Sequence, residues 1–150
     1  MISYSTGLIN SMMGTTSLKA TLANGVIRVY SGAQPASADA AATGTLLGTV
    51  SLAGGAFTEG TTTNGLEFDA PVGKSISKAA AEDWKFKGIA AGTIGYMRFQ
   101  GNAVDNGLSS ATLPRIDMSV GITSGDVRLS TVTSAVNSII TIDTFTITAA

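Results

Sequence analysis

The chain has 150 residues, with nine Lys and Arg against ten Asp and Glu, and neither Cys nor His. Its charged fraction of 13% is about half the roughly 25% usual in globular proteins, and a net charge of −1 gives no electrostatic basis for nonspecific binding to nucleic acid or anionic membranes. The missing Cys and His exclude thiol nucleophiles, disulfides, zinc fingers and imidazole-based triads, so a domain of this length is expected to fold by burial alone, without a cofactor.

In chain order, the first signal is helical. Leu8, Ile9, Met12 and Met13 recur at i, i+1, i+4 and i+5, which makes one apolar face, with Thr6 as N-cap and Gly14 as stop. A second short helix is read from Ser17 through Leu22 to Ala23, ended by Asn24-Gly25. Both are too short to stand alone in water, so each must dock on something. Residues 1–25 are therefore read as a helical segment that either caps a sheet or forms an arm gripping a neighbouring subunit. The first basic residue is Lys19, and no stretch nears the about 20 apolar residues of a membrane span; neither a secretory signal nor a membrane anchor is expected.

From Val26 the period becomes two. Ile27 and Val29 alternate with Arg28 and Tyr30; Trp84 and Phe86 with Asp83, Lys85 and Lys87; Met97 and Phe99 with Tyr96 and Arg98. Ile116, Met118 and Val120 alternate with Arg115, Asp117 and Ser119; Val127 and Leu129 with Asp126, Arg128 and Ser130. Such alternation predicts antiparallel strands with one wet face. Leu46–Leu52, Leu66–Phe68 and Ile139–Thr148 complete eight or nine strands, with turn signals at Gly54-Gly55, Asn64-Gly65, Gly92, Asn106-Gly107 and Ser124-Gly125. In the last run Ile140 and Ile142 differ in parity from Phe145 and Ile147, which predicts a bulge or a corner at Asp143-Thr144, a device common where one strand serves two sheets. The expected fold is mainly β: a single antiparallel β-sandwich over residues 26–150, jelly-roll-like, with the short helical segment before it. Two irregular, small-residue stretches, Ser31–Gly44 and Gly101–Pro114, are long enough to be expected either functional or mobile.

The chemical motifs are weak. Gly73-Lys74-Ser75 ends like a phosphate-binding loop, but the Gly required five residues earlier is Phe68. Asn102, Asp105 and Asn106 offer one carboxylate, too few for a strong calcium site, so a turn is expected and no metal. Glu67 with Asp69, and Glu82 with Asp83, read as solvated faces rather than a glycosidase pair. Without His a serine nucleophile would need a Lys base, and Ser75-Ile76-Ser77-Lys78 matches such a motif in letters only; no enzyme activity is expected. Arg28, Arg98, Arg115 and Arg128 fall on outward strand positions, where a planar donor suits pairing with carboxylates across an interface. Together with Leu8, Ile9, Met12 and Met13, and with Gln34, Pro35 and Asp39 of the first loop, they are the candidate interface residues.

A run of local patterns carries more. Ser5-Thr6-Gly7-Leu8-Ile9-Asn10, Ser17-Leu18-Lys19, Gly25-Val26-Ile27-Arg28-Val29-Tyr30-Ser31-Gly32, Pro35-Ala36-Ser37-Ala38-Asp39 and Thr43-Gly44-Thr45-Leu46-Leu47 resemble a group of small tailed-bacteriophage virion proteins. Gly55-Ala56-Phe57, Asn64-Gly65-Leu66 and Leu113-Pro114-Arg115-Ile116-Asp117 extend the resemblance in order over most of the chain. The resemblance implies a structural component of the virion, made in the host cytoplasm. By analogy it implies a capsid decoration (cement) protein: a homo-oligomer bound to the major capsid protein or another virion protein, with no nucleic-acid or membrane partner. A tail or collar component and a receptor- or carbohydrate-binding module are the competing expectations; the last would need exposed aromatics, most of which alternate as core. The Ser31–Gly44 loop, with Asp39 its only charge, is expected to order on contact with a partner.

Overall fold

The computed structural model describes residues 1–149 and is mainly β. In chain order the elements are β1 (Ser3–Tyr4), α1 (Thr6–Met13), α2 (Leu18–Leu22), β2 (Val26–Ser31), β3 (Leu46–Leu52), β4 (Ser75–Ser77) and β5 (Trp84–Gly88). There follow β6 (Gly92–Gln100), β7 (Arg115–Gly121), β8 (Val127–Arg128), β9 (Thr133–Ser134), β10 (Ile139–Ile142) and β11 (Thr146–Thr148). One large sheet runs β1-β7-β6-β2-β3-β5-β10, antiparallel at every step of that path. Short β9 adds to β6, and β8 adds to β7 in the parallel sense. β11 and β4 form a second, two-stranded sheet.

The register explains the core. Ile116, Phe99, Ile27, Val50, Phe86 and Ile140 stand side by side across six strands, all on one face and all buried. The small sheet lies over this face. Its Ile76 and Ile147 are buried in the same core, and Phe68 and Phe145 bring their rings against Trp84 and Phe99 at centroid separations of 5.4–6.2 Å. These are edge-on and tilted geometries that aromatic rings favour. The Trp84 indole N–H donates to the Glu82 carboxylate at 2.6 Å, so its burial leaves no donor unpaired. Of the apolar positions foreseen from alternation, Ile27, Val29, Trp84, Phe86, Met97, Phe99, Ile116, Met118, Val127 and Leu129 are in this cluster, and Val120 packs against it partly buried. The parity change in the last run is also present: β10 belongs to the large sheet and β11 to the small one, with the crossing at Asp143–Phe145.

Three sequence expectations need correction. Leu66–Phe68 forms no strand, only isolated bridges to Gly25 and Lys78. The cap of α1 is Ser5, whose Oγ accepts from the Leu8 N–H, while Thr6 opens the helix. The helical segment is not a detached arm. β1 pairs with β7, Leu8 and Leu22 are fully buried in the core, and a Cβ added at Gly7 would collide with the Thr112 carbonyl. Removing residues 1–14 would therefore open the core rather than trim an appendage. Trp84→Ala is expected to cost about 3–5 kcal/mol, read as a lower urea midpoint at unchanged slope.

Candidate interaction surface

The second face of the large sheet was expected to be wet. Its middle row, set by the same register, runs Asp117, Arg98, Arg28, Thr49, Lys87 and Ile139. Over β7 and β6 this polar row is roofed by the Ser31–Gly44 and Gly101–Pro114 loops, so Arg98, Arg115 and Asp117 are fully buried and Asp105 nearly so. The outward assignment of Arg98 and Arg115 is thus corrected: their positions have the right parity, but loops from elsewhere in the chain cover them. They are not available to a partner.

Both arginines are used inside the molecule. Arg98 forms a two-pronged pair with Asp117 directly across the strand boundary, Nε to Oδ1 at 2.6 Å and Nη2 to Oδ2 at 2.7 Å. Burial alone would lower the pKa of this guanidinium; the hydrogen bonds and charge of Asp117 more than reverse that, so it stays charged. Arg115 reaches up into the roof. It donates to both oxygens of Asp105 at 2.6 Å and to the Leu108 carbonyl at 2.7 Å. Asp105, weighed above as a calcium ligand, is thereby committed to Arg115; Asn102 donates to the Thr61 carbonyl and Asn106 caps the Leu108 N–H.

The Ser31–Gly44 loop is ordered by contacts within its own chain, which corrects the expectation that it orders on a partner. Pro35 and Ala38 are buried. Asp39 accepts from the Thr6 N–H and hydroxyl at 2.8 and 2.6 Å, tying the loop to the start of α1. Ala42 N–H donates to the Gly107 carbonyl and Ser110 N–H to that of Asp39, which joins the two loops. Beneath them Tyr30 and Tyr96 stack at 5.2 Å, nearly parallel, and the Tyr96 hydroxyl accepts from Thr43 N–H. Burial raises the pKa of both phenols. These tyrosines were read as outward, and the roof is the reason they are not.

The remaining candidates are exposed to different degrees. Leu8 is buried, but Ile9, Met12 and Met13 are 42%, 43% and 82% exposed on the outer side of α1. Ile9 and Met12, with Tyr4, Leu18, Ile147 and Ala149, line an apolar groove of about 210 Å³. Helix α1 carries no charged side chain. Gln34 is half-buried and donates to the Met1 carbonyl. Nearby, burial acts to raise the Asp126 pKa, but hydrogen bonds from Ser119 and the Met1 ammonium prevail and hold it below the ordinary value. Arg128 is exposed on β8. Arg28 is half-buried, bonded to Thr49 at 2.9 Å and paired with Glu59 at 3.4 Å, with Phe57 5.8 Å below its guanidinium. Among the candidates, the structure thus gathers Ile9, Met12 and Met13 into one patch, buries Arg98 and Arg115, and leaves Arg28 half-buried and Arg128 exposed.

Of the carboxylates weighed for catalysis, Glu67 and Glu82 are half-buried and accept from the Asn24 and Glu67 N–H groups, while Asp69, which accepts from Ala80 N–H, and Asp83, which pairs with Lys85, are exposed. Asp105, Asp117 and Ser5 are structural residues that the sequence reading missed. The available signal was the low charge count, which makes an Arg beside an Asp on adjacent strands a candidate internal pair.

Arg98→Met leaves Asp117 buried without a partner and is expected to destabilise by about 3–5 kcal/mol. Arg98→Met with Asp117→Leu removes both charges and should recover most of that loss, because Asp117 is the only hydrogen-bond partner Arg98 has among the described residues. Urea titrations of the two variants distinguish these outcomes.

Kinship adds nothing to this geometry: no protein-family model, curated protein or solved structure matches the chain.

Proposed function

We propose that this chain is a structural virion protein of a tailed bacteriophage, which binds the capsid surface and stabilises contacts between capsomers. The ordered resemblance of its local patterns to small tailed-phage virion proteins supports the class. The observation that carries the reading is the uncharged patch of Ile9, Met12 and Met13 beside an apolar groove, on a fold whose loops are already ordered. Exposed apolar groups gathered in one place mark interaction surfaces. Methionine suits such a surface because its unbranched side chain fills irregular gaps. A rigid scaffold loses little conformational freedom on docking, which favours a protein whose task is to add contacts.

In this reading the partner is the major capsid protein, the site of action is the virion, and no catalysis, cofactor or metal is involved. No helix among the described residues is long and apolar enough to cross a membrane. Interface burial of Met13 and its neighbours would supply the affinity, and the low charge of the surface around α1 would allow close, dry contact.

Met13→Glu and Ile9→Glu test the patch without touching the core, since both side chains point outward. Each is expected to weaken binding to particles lacking the protein by about tenfold or more, with the thermal midpoint unchanged. Co-sedimentation of the variants with such particles measures this; binding at wild-type strength by both would remove the patch from the interface.

A further inference from the structure

We infer that β10 is a self-pairing edge, along which two copies of this chain join antiparallel about a two-fold axis at Ile140. This inference is independent of the virion reading.

β10 ends the large sheet, and among the described residues β5 is its only strand partner. Antiparallel strands alternate between residues that bond to a given neighbour and residues that face away from it. The phase is set here by two bonds. Gly88 N–H donates to the Ser138 carbonyl, and Ile89 N–H donates to Leu47 on the other side of β5. Even-numbered residues of β5 therefore bond toward β10, and Ile140 and Ile142 bond back. The N–H and C=O groups of Ile139 and Thr141 point out of the sheet. Among the described residues, no main-chain bond from outside the strands reaches either of them.

This edge lacks the usual guards against pairing. Ser138-Ile139-Ile140-Thr141-Ile142 holds no Pro and no charge, is β-branched at four of these positions, and pairs with β5 without a bulge. Ile139 is 53% exposed. The opposite end of the sheet is the two-residue β1, which offers far less. The Arg128–Ser130 segment lines a small cleft with β10, but only from Thr141 onward and with no main-chain bond to it.

A second copy fits this edge better than an unrelated extended segment. The two residues with outward groups are placed symmetrically about Ile140. Pairing Ile139 with Thr141 of the other copy, and Thr141 with its Ile139, lets each pair exchange both main-chain bonds. The side chains brought together are uncharged, Asp143 falls opposite Asn137, and Lys85 and Lys87 sit one strand further in on each copy. No like charges meet at the join.

Sedimentation equilibrium of the full chain at up to about 100 μM should show a reversible dimer. Thr141→Pro removes an N–H that bonds nothing within the chain and sits where an edge strand tolerates Pro. It should weaken dimerisation about 25-fold, the product of two lost bonds at about fivefold each. Ile139→Lys, which places a charge at the join and leaves the backbone intact, should also yield monomer and covers the case in which the Pro variant misfolds. Because the chain has no Cys, the register can be read directly. An equimolar mixture of Ile139→Cys and Thr141→Cys should oxidise to a mixed disulfide, the paired Cα atoms lying about 5.5 Å apart, while either variant alone should not. A monomeric wild type, undiminished association of both Thr141→Pro and Ile139→Lys, or mixed and single variants that cross-link alike would overturn the inference. A monomeric wild type whose Thr141→Pro variant loses particle binding would assign the edge to a virion partner instead.

Discussion

The buried Arg115 side chain holds the outer layer of this protein in place. Its guanidinium sits on the large sheet and grips Asp105 in one long loop, and it also binds the Leu108 carbonyl. Its main chain is gripped in turn. Ser5 N–H donates to the Arg115 carbonyl, and the Ser5 hydroxyl accepts from Arg115 N–H while donating to Leu113. The same Ser5 oxygen caps α1. One strand terminus thus joins the sheet, a loop and the N-terminal helix, and Asp39 closes the ring by binding Thr6 from the second loop. The Arg115 guanidinium is bonded by partners from places that nothing but the correct fold brings together, and those bonds offset the cost of burying its charge.

This arrangement explains how so lightly charged a chain makes an ordered structure with long loops. On one face the large sheet buries aliphatic and aromatic side chains beneath the small sheet. On the other it buries Arg98 with Asp117, and Arg115 with Asp105, beneath the loops. Buried ion pairs contribute little net stability against apolar replacements of the same shape, since desolvation offsets their attraction. They do penalise alternatives, because a misplaced loop would strand an unpaired charge. The apolar face supplies most of the driving force, and the polar face selects where the loops lie.

With the loops anchored inward, two surface features stand out for contact with other molecules. The outer side of α1 presents an uncharged apolar patch, and β10 presents unpaired main-chain groups. The two differ in kind. The patch suits burial against a shaped, apolar partner surface; the edge suits hydrogen bonding to another strand. A protein that adds to an existing shell while touching its own copies would need one of each.

Much of the large sheet was legible in the sequence because period-two alternation is a local property. Ile27 and Val29, Trp84 and Phe86, and Ile116 and Met118 declare a common inner face without reference to any other strand. The corner after Ile142 was legible for the same reason, as a parity change within one run. Strands of two or three residues, β1 and β4 among them, were not, since so few residues cannot show a period. The candidate surface was legible only in part. The helical spacing that grouped Ile9, Met12 and Met13 could not say that Leu8, beside them, would turn into the core.

What the sequence determined by itself was which side of each longer strand is apolar, where most of the turns fall, and that catalysis by thiol or imidazole is excluded. What only the tertiary structure decided was which polar side meets water. Arg28, Arg98, Arg115 and Tyr96 look alike in alternation, yet Arg98, Arg115 and Tyr96 lie under loops and Arg28 lies at their margin. Alternation reports the parity of a side chain. Burial of that side depends on a second segment, distant in sequence, whose position is set by long-range pairs such as Arg115 with Asp105 and Thr6 with Asp39.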